Sequence, residues 1–211
     1  MRSLRWPFRV ATVLVVALAV TASAVIWWQF WGKGMQTQRR AAAEGNAFIA
    51  SCGFAPGFSG TAETAADGAV IGVVTLPGSD IAWPIRAGVD DASLDGGVGW
   101  YRQTAPPGGI GNMALVGRRL ASGGAFDGIL TWNTGEIITV ETCFATYTYT
   151  IKAAPRDLTV QLDDAWVLDP VPGRPGTMPT NAWLTLIANQ DIAPTTDRAV
   201  GFAELTAATP R

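Results

Sequence analysis

The chain contains no histidine, and only two cysteines and two lysines occur among its 211 residues. The absence of histidine removes the side chain that most readily exchanges protons near neutral pH. The two cysteines, Cys52 and Cys143, lie far apart, and no cluster of zinc ligands accompanies them. Because zinc requires about four nitrogen, sulfur or carboxylate ligands, we expect neither a metal site nor a cofactor.

Acidic residues are absent from the first 40 positions, which carry six basic side chains. The rest of the chain carries nine basic and seventeen acidic side chains. Proteins that bind nucleic acid neutralise phosphates with clustered lysine and arginine. The acidic body therefore excludes nucleic acid as the expected partner.

A long uncharged run covers residues 10–28, which is about the length of one helical bilayer crossing. Three tryptophans close the run in the manner of an interfacial aromatic belt: Trp27, Trp28 and Trp31. The pattern predicts a cytoplasmic tail over residues 1–9 and a transmembrane signal-anchor over residues 10–31. We then expect a single-pass protein of the cell membrane whose C-terminal domain is extracytoplasmic.

A cleaved signal peptide is the alternative for this segment. Ala22, Ser23 and Ala24 fit the small-residue pattern of a cleavage site, and a basic region precedes the apolar run. Cleavage there would leave a mature chain beginning with valine, isoleucine and two tryptophans. Because that would be a poor soluble terminus, the uncleaved anchor is favoured.

Beyond the anchor the chain changes from helix-forming to strand-forming composition. Residues 32–67 combine a run of helix formers, which predicts a juxtamembrane helix over 35–50, with a Gly/Ala/Ser/Thr/Pro-rich linker. Residues 68–206 contain short apolar or alternating runs, such as "TYTYTI", separated by Gly/Pro-rich loops. This pattern predicts a mainly β barrel or sandwich, followed by a C-terminal tail over 207–211.

The residues alone do not identify a catalyst. Cys143 shares one face of a predicted strand with Thr139 and Glu141, and no cationic neighbour that would activate a thiolate is visible. It is interpreted, like Cys52, as an inert thiol or half of a disulfide. The carboxylate pairs Asp90-Asp91 and Asp163-Asp164 are interpreted as loop surface.

Three stretches of the chain resemble the sortases, most closely the class E sortases of actinobacteria. They are "WQFWGKGMQTQRR" (28–40), "IAWPIRAGVDDASLDGGVGWYRQTAPPGGIGNMALVGRR" (81–119) and "AWVLDPVPGRPGTMPTNAWLTL" (165–186). The resemblance implies a closed eight-stranded β-barrel. It also implies an origin among enzymes that cut a C-terminal sorting signal with a cysteine and then join the acyl-enzyme to an amine.

The resemblance assigns three positions to the sortase chemistry. The histidine follows the glycine of an A-L-x-G-H-R run, which is "ALVGRR" here, so Arg118 occupies that position. The cysteine ends an L-T-L-T-T-C strand, which is "LTLIAN" here, so Asn189 occupies that position. The arginine before the last strand is retained as Arg198.

These replacements favour a catalytically inactive pseudo-sortase. A carboxamide is not a nucleophile, and a guanidinium stays protonated, so it cannot act as a general base. Arginine forks suit carboxylates, and the expected partner is therefore a sorting-signal peptide or a cell-surface protein. Two alternatives remain open: an enzyme with chemistry relocated to Asp191 or Cys143, and a structural assembly module whose groove is filled.

Overall fold

The computed structural model of the chain describes residues 14–23, 33–52, 62–119, 124–191 and 195–211. Residues 14–23 are helical and their side chains are exposed. The predicted anchor covers residues 10–31, and its residues 10–13 and 24–31 lie outside the described residues. The predicted tail 1–9 and part of the predicted linker, 53–61, also lie outside them. Within the described ranges, no helix is both long enough and apolar enough to cross a membrane.

In addition to the helical residues 14–23, the described residues contain two α-helices and nine strands. The helices are α1 (Lys33–Ser51) and α2 (Asp91–Leu94). The strands are β1 (Val70–Thr75), β2 (Trp83–Ala87), β3 (Val98–Trp100), β4 (Gly111–Gly117), β5 (Ile137–Glu141), β6 (Ala145–Ala153), β7 (Thr159–Gln161), β8 (Ala182–Asn189) and β9 (Asp197–Pro210).

Eight of these strands close into a barrel. The sheet order is β6-β5-β1-β2-β3-β4-β8-β9-β7, and an additional pairing of β6 with β9 closes the ring. Strand β7 pairs with β9 outside the ring. The predicted closed eight-stranded β-barrel is therefore confirmed, with one short strand added to its outer surface.

Strand β9 is longer than its sequence pattern predicts. It continues to Pro210, and its last part pairs with β6, from Thr148 with Ala207 to Ala145 with Pro210. Arg211 follows this pairing and forms an ion pair with Glu141 at 2.5 Å. Residues 207–211, predicted as a tail, therefore belong to the sheet or contact it.

Alternation along the strands separates an inner core from an outer apolar cluster. On β8, Leu184, Leu186 and Ala188 belong to the core that fills the barrel. The intervening Ile187 instead packs outside with a second cluster, which contains Val160, Val167 and Val200. Successive side chains of a strand point to opposite faces. Asn189, two residues after Ile187 on β8, is therefore expected to lie on the same outer face as this cluster.

Helix α1 packs against the barrel through small residues. Ala41 is buried, and a Cβ atom on Gly45 would lie 2.0 Å from the Ala82 carbonyl oxygen, so only glycine permits this approach. Glu44 forms an ion pair with Arg86 of β2 at 2.6 Å. At the end of the helix, Cys52 forms a disulfide with Cys143 across a sequence separation of 91 residues.

A buried polar network fastens the chain that follows β7 to the barrel. Thr185 Oγ1 of β8 donates to Asn112 Oδ1 of β4 at 2.7 Å. Asn112 Nδ2 in turn donates to the carbonyl oxygens of Val167 at 2.9 Å and Asp169 at 3.1 Å. Because both side chains are almost fully buried and unpaired buried polar groups are costly, the network holds this loop in place.

The turn "PPGG" (106–109) contacts a buried tyrosine. The Gly109 N–H donates to the Pro106 carbonyl, and Gly108 has φ +72°, which glycine adopts without strain. The Gly108 N–H donates to the Tyr149 hydroxyl oxygen at 3.0 Å. Burial raises the pKa of Tyr149 to about 12 because the phenolate would lose its hydration.

Folding stability is expected to fall between about pH 10 and pH 12 because of Tyr149. The unfolded state ionises near pH 10 and the folded state near pH 12, so the stability present below pH 10 is lost as pH rises through this window. The difference corresponds to about 2–3 kcal/mol. Urea unfolding at several pH values should show that the free energy of unfolding falls less steeply over this window in Y149F than in the unaltered protein. Equal losses in the two proteins would contradict the assignment to Tyr149.

Candidate functional site

Arg118, Asn189 and Arg198 come together at one end of the barrel. Asn189 ends β8 and pairs directly with Arg198 of β9. Strand β4 runs parallel to β8 and pairs Val116 with Ile187, so continuing that register by two residues brings Arg118 level with Asn189. Neighbouring strands lie about 4.8 Å apart, and the alternation that turns Ile187 outward also turns Asn189 outward.

A groove of about 580 Å³ opens over these three residues, and all three line it. Its floor is apolar and includes Val116, Ile187 and Val160 from the outer cluster. One wall is the segment from Leu162 to Leu168, which the buried polar network fastens to the barrel. Helix α2 contributes the rim through Asp91 and Leu94.

A second cavity, of about 460 Å³, lies beside the disulfide. Its lining includes Phe48, Pro106, Cys143 and Phe144 and contains no charged side chain. The groove over Asn189 differs from this cavity because charged and hydrogen-bonding side chains converge in it beside an apolar floor. It is treated below as the candidate site.

Arg118 forms an ion pair at the rim of the groove. Its Nη2 donates to Asp91 Oδ1 at 2.8 Å and contacts the Asp91 carbonyl oxygen at 3.3 Å. The Asp91 side chain is 100% exposed and that of Arg118 is 33% exposed. Because exposed ion pairs contribute about 0–1 kcal/mol, this pair can exchange partners easily.

Helix α2 presents Asp91 in a defined position because Asp90 caps it. The Asp90 carboxylate accepts from the Ser93 N–H at 2.8 Å and from the Ser93 hydroxyl at 3.2 Å. The backbone hydrogen bond from Ser93 lowers the pKa of Asp90. The predicted surface pair Asp90-Asp91 therefore divides into one structural cap and one partner of Arg118.

Arg198 and Asn189 differ in how firmly they are held. Arg198 Nη1 donates to the carbonyl oxygens of Thr195 and Asp197, each at 2.9 Å, which fixes the guanidinium at the start of β9. Asn189 is exposed at the end of β8. The carboxamide therefore faces the groove, beside an arginine whose position is set by its own loop.

Arg119 is a site residue that the sequence analysis did not identify. Its Nη1 donates to the carbonyl oxygen of Gln190 and contacts that of Asn189 at 3.5 Å. It thereby ties the turn after β4 to the chain after β8, next to the groove residues Arg118 and Asn189. Arg119 Nε and Gln190 Oε1 are buried without a hydrogen-bond partner in the described structure.

Replacing Arg119 by methionine is expected to loosen the chain after β8. The variant leaves the partly buried Gln190 carbonyl without its donor, which should cost about 0.5–1.5 kcal/mol of folding stability. The Gln190 amide, which donates to the Asp197 carbonyl at 3.1 Å, should exchange with solvent faster by NMR. The exposed Arg174 provides the matched R174M control, and equal exchange rates in both variants would refute this positioning role.

Acidic side chains line the wall that follows β7. Asp163 and Asp164, predicted as loop surface, both line the groove. Asp164 Oδ2 accepts from the Gln161 N–H at 2.7 Å, which holds the wall against β7. The groove thus has a cationic end at Asn189, an apolar floor and an acidic wall.

The candidates for relocated chemistry have other partners. Cys143 is joined to Cys52, so its sulfur is not available as a thiolate. The predicted strand around it ends at Glu141, and Cys143 lies in the following turn. Asp191 accepts from the Thr195 hydroxyl at 3.0 Å and is exposed. In the described parts of the chain, no group of three or more His, Cys, Asp or Glu side chains could hold a metal ion.

Comparison with known proteins identifies the family. The Sortase domain model matches residues 74–206. Sortase E from Streptomyces avermitilis is 26% identical with a TM-score of 0.61, covering 69% of this chain and 93% of its own. Sortase E1 from Streptomyces coelicolor, solved with a tripeptide in its active site, is 27% identical with a TM-score of 0.60, covering 68% and 92%. The SrtA sortase from Actinomyces oris is 24% identical with a TM-score of 0.62, covering 69% and 84%. No curated protein matches the chain.

The barrel and the family match together define the class. The chain belongs to the sortase family, whose members are cysteine transpeptidases. The resemblance recognised from the sequence is thereby confirmed, including its likeness to sortase E of Streptomyces.

Proposed function

We propose that this protein is a membrane-anchored, extracytoplasmic pseudo-sortase that binds a peptide or surface-protein segment in the groove without cutting it. The observation that carries the proposal is the side-chain chemistry at the groove's centre. Asn189 and Arg118 stand where the resemblance places the cysteine and the histidine. Neither a carboxamide nor a permanently charged guanidinium can perform nucleophilic attack or proton abstraction there.

The shape of the groove supports binding as the function that remains. It has an apolar floor, with convergent polar groups at one end, as small-molecule and peptide sites commonly have. The Streptomyces coelicolor relative holds a tripeptide in its active site. By analogy, a short extended peptide is the ligand class proposed for this chain.

The disulfide supports an extracytoplasmic location. Disulfides persist in oxidising compartments and are rare in the bacterial cytoplasm. The link between Cys52 and Cys143 therefore agrees with the location expected from the apolar run at residues 10–31. Anchoring by that run remains part of the proposal, and protease protection of the full chain in sealed membranes would test it.

Binding and cleavage should be measured together on the full-length protein in lipid nanodiscs. Fluorescently labelled peptides carrying C-terminal sorting signals should bind saturably by fluorescence polarisation and remain intact by mass spectrometry. R198A should weaken binding, while R174A, outside the groove, should not. Cleavage that disappears in R198A would overturn the pseudoenzyme proposal. A complete lack of binding would favour the assembly-module alternative.

A further inference from the structure

The two arginines at the groove's cationic end leave hydrogen-bonding capacity for a ligand. Arg198 uses Nη1 for the carbonyls of Thr195 and Asp197, and among the described residues no acceptor contacts its Nε or Nη2. In the described parts of the chain, Arg118 donates only through Nη2, to Asp91. Guanidinium groups bind carboxylates through two parallel N–H donors, so both side chains can still engage an anion.

Asn189 complements an anion between these arginines. Its carboxamide supplies two uncharged N–H donors at the position level with both guanidinium groups. A thiolate at the same position would repel a bound carboxylate, whereas the carboxamide can hydrogen-bond to it. The two replacements at Arg118 and Asn189 therefore act in the same direction, towards anion binding.

Asp91 acts as an internal competitor for the ligand. The fully exposed Asp91 carboxylate forms an ion pair with Arg118 at 2.8 Å. A carboxylate is therefore an anion that this guanidinium already binds. Because the pair is exposed and weak, a ligand carboxylate that contacts Arg118, Arg198 and Asn189 together can displace it. The Asp91 side chain would then turn to solvent at little cost.

We propose that the groove recognises a peptide carboxylate, held over Asn189 between Arg118 and Arg198, with Asp91 as the group that it displaces. This inference rests on the proposed peptide-binding function and names the chemical group that the site selects. The wall that follows β7 carries Asp163 and Asp164, and these carboxylates disfavour a second anion beside them. The peptide carboxylate is therefore placed at the arginines and not along this wall.

The test compares peptides that differ only in this group. The full-length protein in neutral nanodiscs is titrated with a library of N-terminally labelled tripeptides. Each is made with a free C-terminal carboxylate and as the C-terminal amide, and a third set carries an aspartate side chain before the amide. The acids should bind at least about tenfold more tightly than the amides, since hydrogen bonds to charged groups are the stronger class. Tight binding of the third set would show that an aspartate side chain can supply the carboxylate that the groove binds.

Variants place the carboxylate within the groove. R118Q and R198Q should each reduce the preference for acid over amide, while R174Q, an exposed arginine outside the groove, should leave it unchanged. D91N, which removes the competitor, should tighten acid binding several-fold more than it changes amide binding. Loss of the D91N effect in the R118Q/D91N double variant would show that the two residues act through one ion pair.

The outcomes separate this inference from the function on which it rests. Equal binding of acids and amides, at any affinity, overturns carboxylate recognition and leaves peptide binding in place. Absence of binding by all three sets overturns both. An acid preference that survives in R118Q/R198Q places the carboxylate elsewhere and overturns the assigned site.

Discussion

The R118H/N189C double variant is expected to form a covalent acyl-enzyme with a sorting-signal peptide that, under the proposed function, the unaltered protein leaves intact. The two changes introduce a nucleophile and a general base on strands that lie side by side over the groove. The neighbouring guanidinium of Arg198 should lower the pKa of the new thiol and increase its thiolate fraction. Peptide cleavage should rise by about 10³-fold or more over the unaltered protein, as followed by chromatography and intact-protein mass spectrometry.

Three further variants interpret this result. N189C alone should react with a thiol probe yet acylate slowly, because no base accompanies it. R118H alone should remain inactive, and R198A in the double-variant background should reduce the gain. If the double variant folds, has a reactive thiol and still forms no adduct with peptides that bind, then more than two side chains separate this groove from an active one.

Removing the disulfide is expected to cause the largest loss of stability from a change outside the barrel core. In the chain-entropy account, closing a loop of 91 residues stabilises the folded state by about 4–5 kcal/mol. The C52S/C143S variant should therefore show a lower urea midpoint with full-length protein in the same detergent. The loss should also release the end of α1 from the turn that holds Cys143.

Reductant provides the matched control for this experiment. Adding it should lower the stability of the unaltered protein to that of C52S/C143S and leave the variant unchanged. A difference below about 1 kcal/mol would mean that α1 is held mainly by its packing at Gly45 and by the ion pair between Glu44 and Arg86.

The strands could be predicted from local pattern, whereas the closure of the barrel could not. The alternation in "TYTYTI" follows from the two-residue repeat of a strand, and this run lies in β6. Closure depends on the pairing of β6 with β9, which no local pattern encodes. It was expected only from the resemblance to sortases, and the sequence alone left a barrel and a sandwich open.

The same division holds for the candidate site. Arg118, Asn189 and Arg198 could be located because the resemblance to sortases assigns each of them a position in or beside a strand motif. Arg119 was missed because its partner, Gln190, lies 71 residues away. The link from Arg118 to Asp91 spans 27 residues and depends on how α2 is placed. Such contacts arise only when the strands are assembled, so they carry no short-range signal.

The attachment of α1 also determines how the groove is presented. A helix of 19 residues is about 28 Å long. Helix α1 is held against the barrel in its second half by the close packing of Gly45, and just after its end by the disulfide of Cys52. A helix held at two points cannot rotate freely against the barrel. The backbone of Lys33 therefore keeps a constant distance and direction from Asn189, so the start of α1 and the mouth of the groove hold one fixed relation on the barrel surface.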